Sequence, residues 1–283
     1  MPKGSEPFVK PYLKWAGGKR QLLPEIRKHL PNDLAARNYY EPFVGAGAVL
    51  FDLQPRGAVI NDFNSQLVLT YQVIQRDAGK LIEVLKEHAE RNSPEHYYEV
   101  RAQDRDAVAF AKLTNEEKAA RLIYLNKTCF NGLYRVNAQG LFNVPYGSYV
   151  NPAICEESVL KAISKYLHEK GIQILQGDFA AAVQDAPGSA FVYFDPPYHS
   201  PDNTNFTGYQ AGGFGEEEQK RLRDTFVALA GKGAKCLLSN ADTEFIRKLY
   251  EGYKIETVQA RRTINSNAAG RGDVNEVLIK SWR

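Results

Sequence analysis

The stretch YYEPFVGAGAVLFD, residues Tyr39–Asp52, decides the fold class. Its first residues are typical of a short strand, Gly45 and Gly47 indicate a turn, and the segment AVLFDL has the apolar spacing of a helix. A second strand-like segment, GAVIND, follows at residues Gly57–Asp62. Strand, helix and strand in this order predict a βαβ unit, and therefore the start of an α/β domain.

Five further segments in the second half of the chain have the composition of strands. They are IQILQGD, AFVYFD, AKCLLSN, YKIETVQA and NEVLIKSW. Helical segments such as EEEQKRLRDTFVALA separate several of them, which favours a mainly parallel sheet. Because a polar loop joins the last two segments, we expect those two strands to pair antiparallel.

The chain between these two groups of strands has a different pattern. From about Asn64 it shows helical spacing, and Thr114 with Glu117 has the spacing of a capping box at the start of one helix. The following stretch, Cys129–Pro152, is rich in Gly, Asn and Tyr and too long for a simple connector, which favours a functional loop. We therefore predict one domain from residues 1–70 and 156–283, with a helical and loop-rich domain inserted at 71–155.

Composition excludes several classes of protein. The chain has 283 residues, of which 43% are hydrophobic and 24% are charged, as in an ordinary globular protein. It contains neither an apolar run near 18 residues nor the apolar region of a signal peptide, so we expect a cytoplasmic protein with no membrane partner. The three cysteines and five histidines lack the spacing of a disulfide framework or a metal site, so we expect no metal.

Charge is unevenly distributed along the chain, although the net charge is only +3. Three stretches contain no Asp or Glu, namely Pro7–Pro24, Lys118–Cys155 and Thr257–Gly272. If their cations converge, they form a basic face suited to nucleic acid. An ordinary solvated surface is the alternative interpretation. The cations of these stretches include Lys10, Lys14, Lys19, Arg20, Arg121, Lys127, Arg135, Arg261, Arg262 and Arg271.

The glycine turn and the second strand together indicate a nucleotide-like ligand. Gly45 and Gly47 let a ligand approach the backbone, and Asp62 ends the second strand where a carboxylate can accept both ribose hydroxyls. The third glycine of a dinucleotide-binding pattern falls on Leu50, so a ligand with a ribose and no pyrophosphate fits better. S-adenosylmethionine is such a ligand. A dinucleotide site and a plain loop remain open.

The segment KWAGGKRQLL contains Gly18 and Lys19 but is not a phosphate-binding loop. The position that requires the first glycine of that motif is Leu13, and Arg20 stands where Ser or Thr would hold magnesium. A kinase or NTPase is therefore a poor interpretation.

A second chemical motif, FVYFDPPYHSP at Phe191–Pro201, follows an apolar strand. The Asp195 side chain and the Pro196 carbonyl are two acceptors beside the aromatic face of Tyr198, which suits a planar amino group. Such a nitrogen can attack a methyl sulfonium. A base inside a duplex would have to be flipped out of the helix to reach these residues. A tight turn that only ends the strand is the alternative.

Six segments in order make the chain resemble a known family. They are PYLKWAGGK, EPFVGAGAV, VIND, NGLYRVNAQGLFNVPYG, DPPY and NFTGY. Over nearly the whole chain this set is similar to the Dam-type DNA adenine-N6 methyltransferases of the alpha group. The resemblance implies an α/β fold with a seven-stranded, mostly parallel methyltransferase sheet, helices on both faces and an inserted helical DNA-recognition domain. It also implies S-adenosylmethionine as cofactor and double-stranded GATC as substrate.

The resemblance assigns roles residue by residue. It implies that the catalytic residues are Asp195, Pro196, Pro197 and Tyr198. The residues that it places at the cofactor are Trp15, Ala16, Gly17, Lys19, Glu41, Phe43, Gly45, Gly47, Asp62, Asp178, Phe179 and Asp195. Those that it places at DNA are Lys14, Phe130, Asn131, Gly132, Leu133, Arg135, Asn137, Asn143 and Pro145. Phe130, expected to wedge beside the flipped base, stands where relatives often carry tyrosine.

Other functions stay open at this point. An NAD-dependent oxidoreductase would use the same strand-turn-helix start, and a non-catalytic DNA-binding protein would need only the basic stretches. A planar NH2 is also presented by cytosine N4, by adenine in RNA and by a glutamine side chain. The sequence alone does not decide whether a partner restriction endonuclease acts on the same site.

Overall fold

The computed structural model describes residues 9–15, 19–200, 213–261 and 273–283. The predicted cofactor contacts Ala16 and Gly17 and the segment NFTGY at 205–209 lie outside the described residues. Contacts divide the chain into two compact units. The first comprises Met1–Gly18, Gly45–Gln54 and Asn64–Ile174, and the second comprises Lys19–Val44, Pro55–Phe63 and Leu175–Arg283.

A seven-stranded sheet confirms the predicted α/β fold. Its strands are β1 Asn38–Glu41, β2 Val59–Asp62, β3 Gln173–Gln176, β4 Ala190–Phe194, β5 Lys235–Ala241, β6 Lys254–Arg261 and β7 Asp273–Lys280. They lie in the order β3-β2-β1-β4-β5-β7-β6. β1 pairs parallel with β2 and β4, and β4 pairs parallel with β5. β7 runs antiparallel between β5 and β6, as predicted for the last two strands.

The centre of the sheet is apolar because β4 is covered on both faces. All five residues of this strand, Ala190–Phe194, are buried, which explains their continuous apolar run. Phe194 contributes to a core cluster with Phe226 and Tyr250, whose side chains are fully buried. The strand end that precedes Asp195 is therefore held by packing on every side.

Eleven α-helices occur in the described part of the chain. They are α1 Leu23–Lys28, α2 Ala48–Leu53, α3 Ser65–Arg76, α4 Ala78–Glu90, α5 Pro94–Ala102, α6 Ala107–Lys112, α7 Asn115–Thr128, α8 Glu157–Glu169, α9 Phe179–Val183, α10 Glu216–Gly231 and α11 Glu244–Leu249. Within the described ranges, each helix is too short or too polar to cross a lipid bilayer.

Helices α3, α4, α7 and α8 pack together as the body of the first unit. The predicted capping box is confirmed at the start of α7, where Thr114 and Glu117 each bond the backbone N–H of the other. Residues 71–155 all belong to this unit, together with chain on either side of them. Their independence as an inserted domain stays a prediction.

The first unit also buries a pair of histidines. His88 Nδ1 lies 2.9 Å from His96 Nε2, and the His88 ring stacks on Tyr124 with centroids 4.8 Å apart. Burial, assisted by the neighbouring His96, lowers the pKa of His88 to about 4. Burial also lowers the pKa of His96. Both rings are therefore neutral at pH 7 and share one hydrogen bond.

This pair predicts that the protein loses stability in mild acid. An unfolded histidine takes up a proton near pH 6.5, whereas folded His88 does so only near pH 4. The free energy of unfolding is therefore unaffected by His88 above pH 6.5 and decreases as the pH falls from 6.5 to 4. Chemical unfolding at several pH values gives the free energy of unfolding as a function of pH. Between pH 6.5 and 4 this free energy should fall less steeply for His88→Phe than for the wild type. The exposed His168→Gln serves as control, and an unchanged slope in His88→Phe would contradict the prediction.

Candidate active site

The DPPY turn begins directly where β4 ends. Proline lacks an N–H donor, so Pro196 and Pro197 end the pairing of the strand and direct the chain away from the sheet. Buried Gln219 donates from Nε2 to the Pro197 carbonyl at 2.9 Å and itself accepts from Asn240 Nδ2 at 3.0 Å. The two buried amides therefore hold the Pro197 carbonyl, and with it the turn, in place.

Asp195 carries the charge of this site. Its Oδ1 lies 2.7 Å from Lys19 Nζ and accepts a hydrogen bond from Ser239 Oγ at 3.0 Å. The Lys19 and Asp195 side chains are only 6% and 18% exposed. Burial raises the pKa of the Asp195 carboxyl, while the Lys19 ammonium and the Ser239 hydroxyl act in the opposite direction. Asp195 is thus a charge-paired acceptor in a poorly hydrated position.

Tyr198 places a fixed aromatic face beside this carboxylate. Its hydroxyl donates to Glu276 Oε2 at 2.7 Å, and Lys19 Nζ lies 4.5 Å from the centre of its ring. Burial and the nearby carboxylates of Asp195 and Glu276 raise the pKa of Tyr198, so the phenol remains a neutral donor. The ring is therefore held both at its hydroxyl and over its face.

A second group of predicted residues lies at the ends of β1 and β2. Glu41 is buried and accepts from the Tyr39 hydroxyl at 2.7 Å. Asn61 Nδ2 donates to the carbonyls of Pro42 and Gly177 at 3.0 Å each, and Gly177 N–H donates to the Asp62 carbonyl at 3.1 Å. These bonds hold the predicted acidic residues Glu41 and Asp62 at neighbouring strand ends.

Asp178 and Phe179 follow β3 and have partners within the second unit. The Asp178 carboxylate accepts from Ala180 and Ala181 N–H at the start of α9, and Arg221 bonds both of its oxygens. This guanidinium, followed by the helix N–H groups, lowers the pKa of Asp178. The Phe179 ring stacks on Phe43 with centroids 5.1 Å apart. The Asp178 side chain thus serves the fold, and the aromatic pair provides an apolar surface.

The first unit contains the predicted glycine turn. Gly45 and Gly47 have φ of +50° and +74°, which favours glycine. A Cβ on Gly47 would lie 2.7 Å from the Tyr71 hydroxyl, which donates to the Gly45 carbonyl at 2.9 Å. Trp15 stacks on Tyr134 with ring centroids 5.1 Å apart. In this unit the two glycines are required by packing, whatever ligand contacts they make.

Lys14 is anchored beside the loop that follows α7. Buried Asn126 accepts from Lys14 N–H at 2.9 Å and donates to the carbonyls of Lys14 and Gly132 at 2.7 and 2.9 Å. The Lys14 ammonium lies 4.3 Å from the centre of the Tyr149 ring. The structure therefore brings two predicted DNA contacts, Lys14 and Gly132, to one amide side chain.

Residues 135–143, within the loop predicted at Cys129–Pro152, form a short ribbon. An isolated bridge joins Val136 to Phe142, and Asn143 N–H donates to the Arg135 carbonyl at 3.0 Å. Arg135 Nε in turn donates to Asn143 Oδ1 at 2.7 Å. The Asn137 side chain accepts from two backbone N–H groups in the ribbon tip. Two predicted DNA contacts, Arg135 and Asn143, are thus partners.

The remaining predicted contacts lie around the start of this loop. Phe130 is 49% exposed, and its N–H donates to the Pro145 carbonyl at 2.9 Å. Asn131 is exposed and has φ of +56°, while Leu133 is half-buried. An exposed aromatic ring beside a strained turn is available to a partner.

Part of the predicted basic face is wrong, because Lys19 and Arg121 are buried. Arg262 and Arg271 lie outside the described residues. Arg121 is 1% exposed and pairs with Asp104 at 2.8 Å, so it belongs to the core. Lys10 and Lys127 both pair with Glu156, each at 2.6 Å. Lys14 and Arg135, by contrast, are exposed.

Comparison with known proteins decides the family. A family model described as D12 class N6 adenine-specific DNA methyltransferase matches residues 15–264. The chain belongs to this family. The protein is therefore an adenine-specific DNA methyltransferase, and the oxidoreductase, cytosine, RNA and non-catalytic alternatives are set aside.

Curated relatives of this methyltransferase align along almost its whole length. A type II methyltransferase of Lactococcus lactis subsp. cremoris, M1.LlaDCHI, is 42% identical over 275 residues and covers 97% of this chain and 96% of its own. Another, M.MjaIII of Methanocaldococcus jannaschii, is 43% identical and covers 97% and 99%. A DNA adenine methylase of Escherichia coli (strain K12) is 33% identical and covers 94% and 93%.

Several polar residues that contact predicted site residues within each unit were missed by sequence reasoning. Ser239 and Glu276 contact the DPPY residues, and Asn126 anchors Lys14. Their one signal in the sequence is a polar side chain inside an apolar stretch, as in CLLSN for Ser239. A polar residue in such a stretch indicates a buried hydrogen bond, but the sequence does not identify the partner because it lies far along the chain.

Gly132 should be less replaceable than another glycine of the same loop. It has φ of +64°, and a Cβ there would lie 2.4 Å from Lys14 Cδ, whereas Gly140 has φ of +78° and open space around it. Both Ala variants carry the left-handed strain of about 1 to 2 kcal/mol. Gly132→Ala should lower the free energy of unfolding by about 1 kcal/mol more than Gly140→Ala in urea titrations. Equal losses would contradict the Lys14 contact.

Proposed function

We propose that this D12 methyltransferase transfers a methyl group from S-adenosylmethionine to N6 of adenine in double-stranded GATC, with the adenine flipped out of the duplex. The observation that carries the proposal is the placement of Asp195 beside the fixed ring of Tyr198, since Lys19 Nζ lies 2.7 Å from the carboxylate and 4.5 Å from the centre of the ring. Resemblance of the segment Asn131–Gly147 to the Dam-type recognition loop supports GATC. The names of two relatives, type II methyltransferases, support a partner restriction endonuclease at the same site.

The residues act on the target amino group by accepting its hydrogens. The hydrogen bonds that described residues give Asp195 fall on Oδ1, so Oδ2 and the Pro196 carbonyl accept from N6. Two such bonds draw the nitrogen lone pair out of conjugation with the ring, and Tyr198 stacks on the base. When bound, S-adenosylmethionine supplies a methyl carbon on a cationic sulfur. With the cofactor bound, the N6 lone pair would bond to that methyl carbon while the sulfur keeps the electron pair of the broken bond, and Asp195 Oδ2 would accept the proton that N6 releases.

The second unit contains acceptor groups and an aromatic pair that fit the cofactor. Carboxylates at the ends of β1 and β2, Glu41 and Asp62, suit hydroxyl and amino groups, and the Phe43–Phe179 pair suits an adenine ring. The Asp195 carboxylate suits a sulfonium. The predicted cofactor roles of Trp15, Ala16, Gly17, Gly45 and Gly47 stay predictions.

The ribbon of the first unit suits a guanine. Arg135 uses Nε and one terminal nitrogen on Asn143, and the guanidinium projects from an exposed position. A guanidinium held in this way can form two bonds to the O6 and N7 edge of guanine in the major groove. Lys14, placed by Asn126, is the second cationic reader, and exposed Phe130 is the side chain that fills the gap left by a flipped base.

Removal of the Asp195 carboxylate should abolish methyl transfer. Asp195→Ala loses a preorganised acceptor, so the single-turnover rate on GATC duplex should fall by at least about a hundredfold. DNA affinity, measured by fluorescence anisotropy, should change little. Because the variant leaves the Lys19 ammonium without its carboxylate, folding is checked by circular dichroism. Asp224→Ala, an exposed site on α10, is the control, and retention of more than a few per cent of the rate would contradict the mechanism.

Arg135→Ala should weaken discrimination rather than binding in general. Loss of a bidentate guanine contact should lower the preference for GATC over single-guanine variants by about 1 to 3 kcal/mol. Competition kinetics at two salt concentrations measure this, with Lys112→Ala, an exposed cation on α6, as control. A phosphate contact would instead weaken all sequences together and reduce the salt slope by about one.

A further inference from the structure

Two buried hydroxyls stand in line behind Asp195. Tyr193 lies on β4 and Ser239 on β5, and both side chains are fully buried. The Tyr193 hydroxyl is 3.0 Å from Ser239 Oγ, which is 3.0 Å from Asp195 Oδ1. The parallel pairing of Tyr193 with Leu237 and of Phe194 with Leu238 sets this spacing. Neither hydroxyl can reach solvent, so each depends on its neighbour for hydrogen bonding.

The direction of the hydrogen bonds in this chain follows from counting hydrogens. Asp195, paired with the Lys19 ammonium, is a carboxylate and can only accept. Ser239 Oγ is 3.0 Å from Asp195 Oδ1 and 3.4 Å from the Phe194 carbonyl, so its single hydrogen is donated to the nearer, charged acceptor. Tyr193 then donates to Ser239. Burial raises the pKa of Tyr193, which keeps this phenol protonated. Donation thus runs from Tyr193 through Ser239 to the carboxylate.

Among the described residues, both partners of the Asp195 carboxylate bond the same oxygen. Lys19, from the segment before α1, and Ser239 both bond Oδ1. The other groups that face this position are Tyr198, whose hydroxyl is engaged by Glu276 of β7, and Glu41 of β1, which lies toward Tyr193. Rotation of the carboxylate would break the two bonds at Oδ1. Its orientation is therefore fixed by the residues behind it.

We infer that Ser239 and Tyr193 are positioning residues for methyl transfer, which hold Oδ1 of Asp195 so that Oδ2 faces the target amino group. The inference rests on the proposed role of Asp195 as acceptor for that group. Ser239 acts directly on the carboxylate and Tyr193 acts through Ser239, so the two should contribute unequally. Both residues are fully buried, so neither is exposed to a base or a cofactor.

The test compares Ser239→Ala and Tyr193→Phe in the full-length protein by single-turnover methylation across pH. Ser239→Ala should lower the rate by roughly 10- to 100-fold, because a misplaced acceptor is a poor one. Since the Ser239 hydroxyl lowers the pKa of Asp195, its loss should also move the acid limb of the pH profile to higher pH. Tyr193→Phe should shift both quantities in the same direction by a smaller amount.

Matched controls separate positioning from folding. Ser281→Ala removes a serine that bonds the backbone of Ala234, just before β5, and of Cys236, near the start of β5. Tyr250→Phe removes a buried hydroxyl that bonds nothing in the part of the chain that the structure describes. Both controls should keep the wild-type rate and pH profile. DNA and S-adenosylmethionine affinities of Ser239→Ala and Tyr193→Phe should stay within about twofold of the wild type.

The outcomes are distinguishable from failure of the proposed function. If Asp195→Ala is inactive while Ser239→Ala and Tyr193→Phe keep the wild-type rate and acid limb, the inference is overturned and the proposed function stands. If Asp195→Ala is active, the proposed role of the carboxylate fails first. If Ser239→Ala does not fold, Tyr193→Phe decides alone, and an unshifted acid limb overturns the inference. The assay uses any adenine duplex that the wild type methylates.

Discussion

The contact on which the candidate site depends is the pairing of Asp195 with Lys19 at the tip of the most buried strand. A carboxylate at this position loses most of its hydration, and an isolated buried charge costs several kcal/mol. Lys19 and Ser239 compensate for that loss on one oxygen. The contacts that the described residues make leave the second oxygen able to accept, so a requirement of folding also suits the amino group proposed as the target.

A comparable buried pair supports the ribbon of the first unit. Asp104 bonds Arg121, which is 1% exposed, and also accepts from Phe142 N–H at 3.0 Å. Arg121 bonds the carbonyls of Val100 and Arg101 as well. This network, which Arg105 joins through Asp104 and the Phe142 carbonyl, ties the ribbon to the end of α5 and to α7. Removal of Asp104 would leave Arg121 buried without its carboxylate, so the ribbon and the helices are energetically coupled.

The fold was largely readable from the sequence, and the site only in part. Continuous apolar runs such as Ala190–Phe194 and the turn at Gly45 have local causes, so the strands and helices fall where the pattern indicates. Charged and aromatic residues at strand ends, such as Asp195 and Tyr198, are also visible because position along a strand predicts position in a parallel sheet. Ser239 and Asn126 were not, since a buried polar residue reveals that it has a partner without revealing which one. Arg121 was wrongly assigned to the basic face because the charge of a residue does not show whether its side chain is buried.

The link between Arg135 and Asn143 has a consequence for the entropy of recognition. An arginine side chain that is free in solution loses about 1.5 to 2 kcal/mol of rotamer freedom when a ligand orders it. Here Asn143 already restricts the Arg135 side chain on its own ribbon, at 2.7 Å. Most of that ordering occurs when the chain folds, so under the proposed guanine contact little would be subtracted from the free energy of binding. Discrimination between bases would then depend on the contacts of the guanidinium with the base edge.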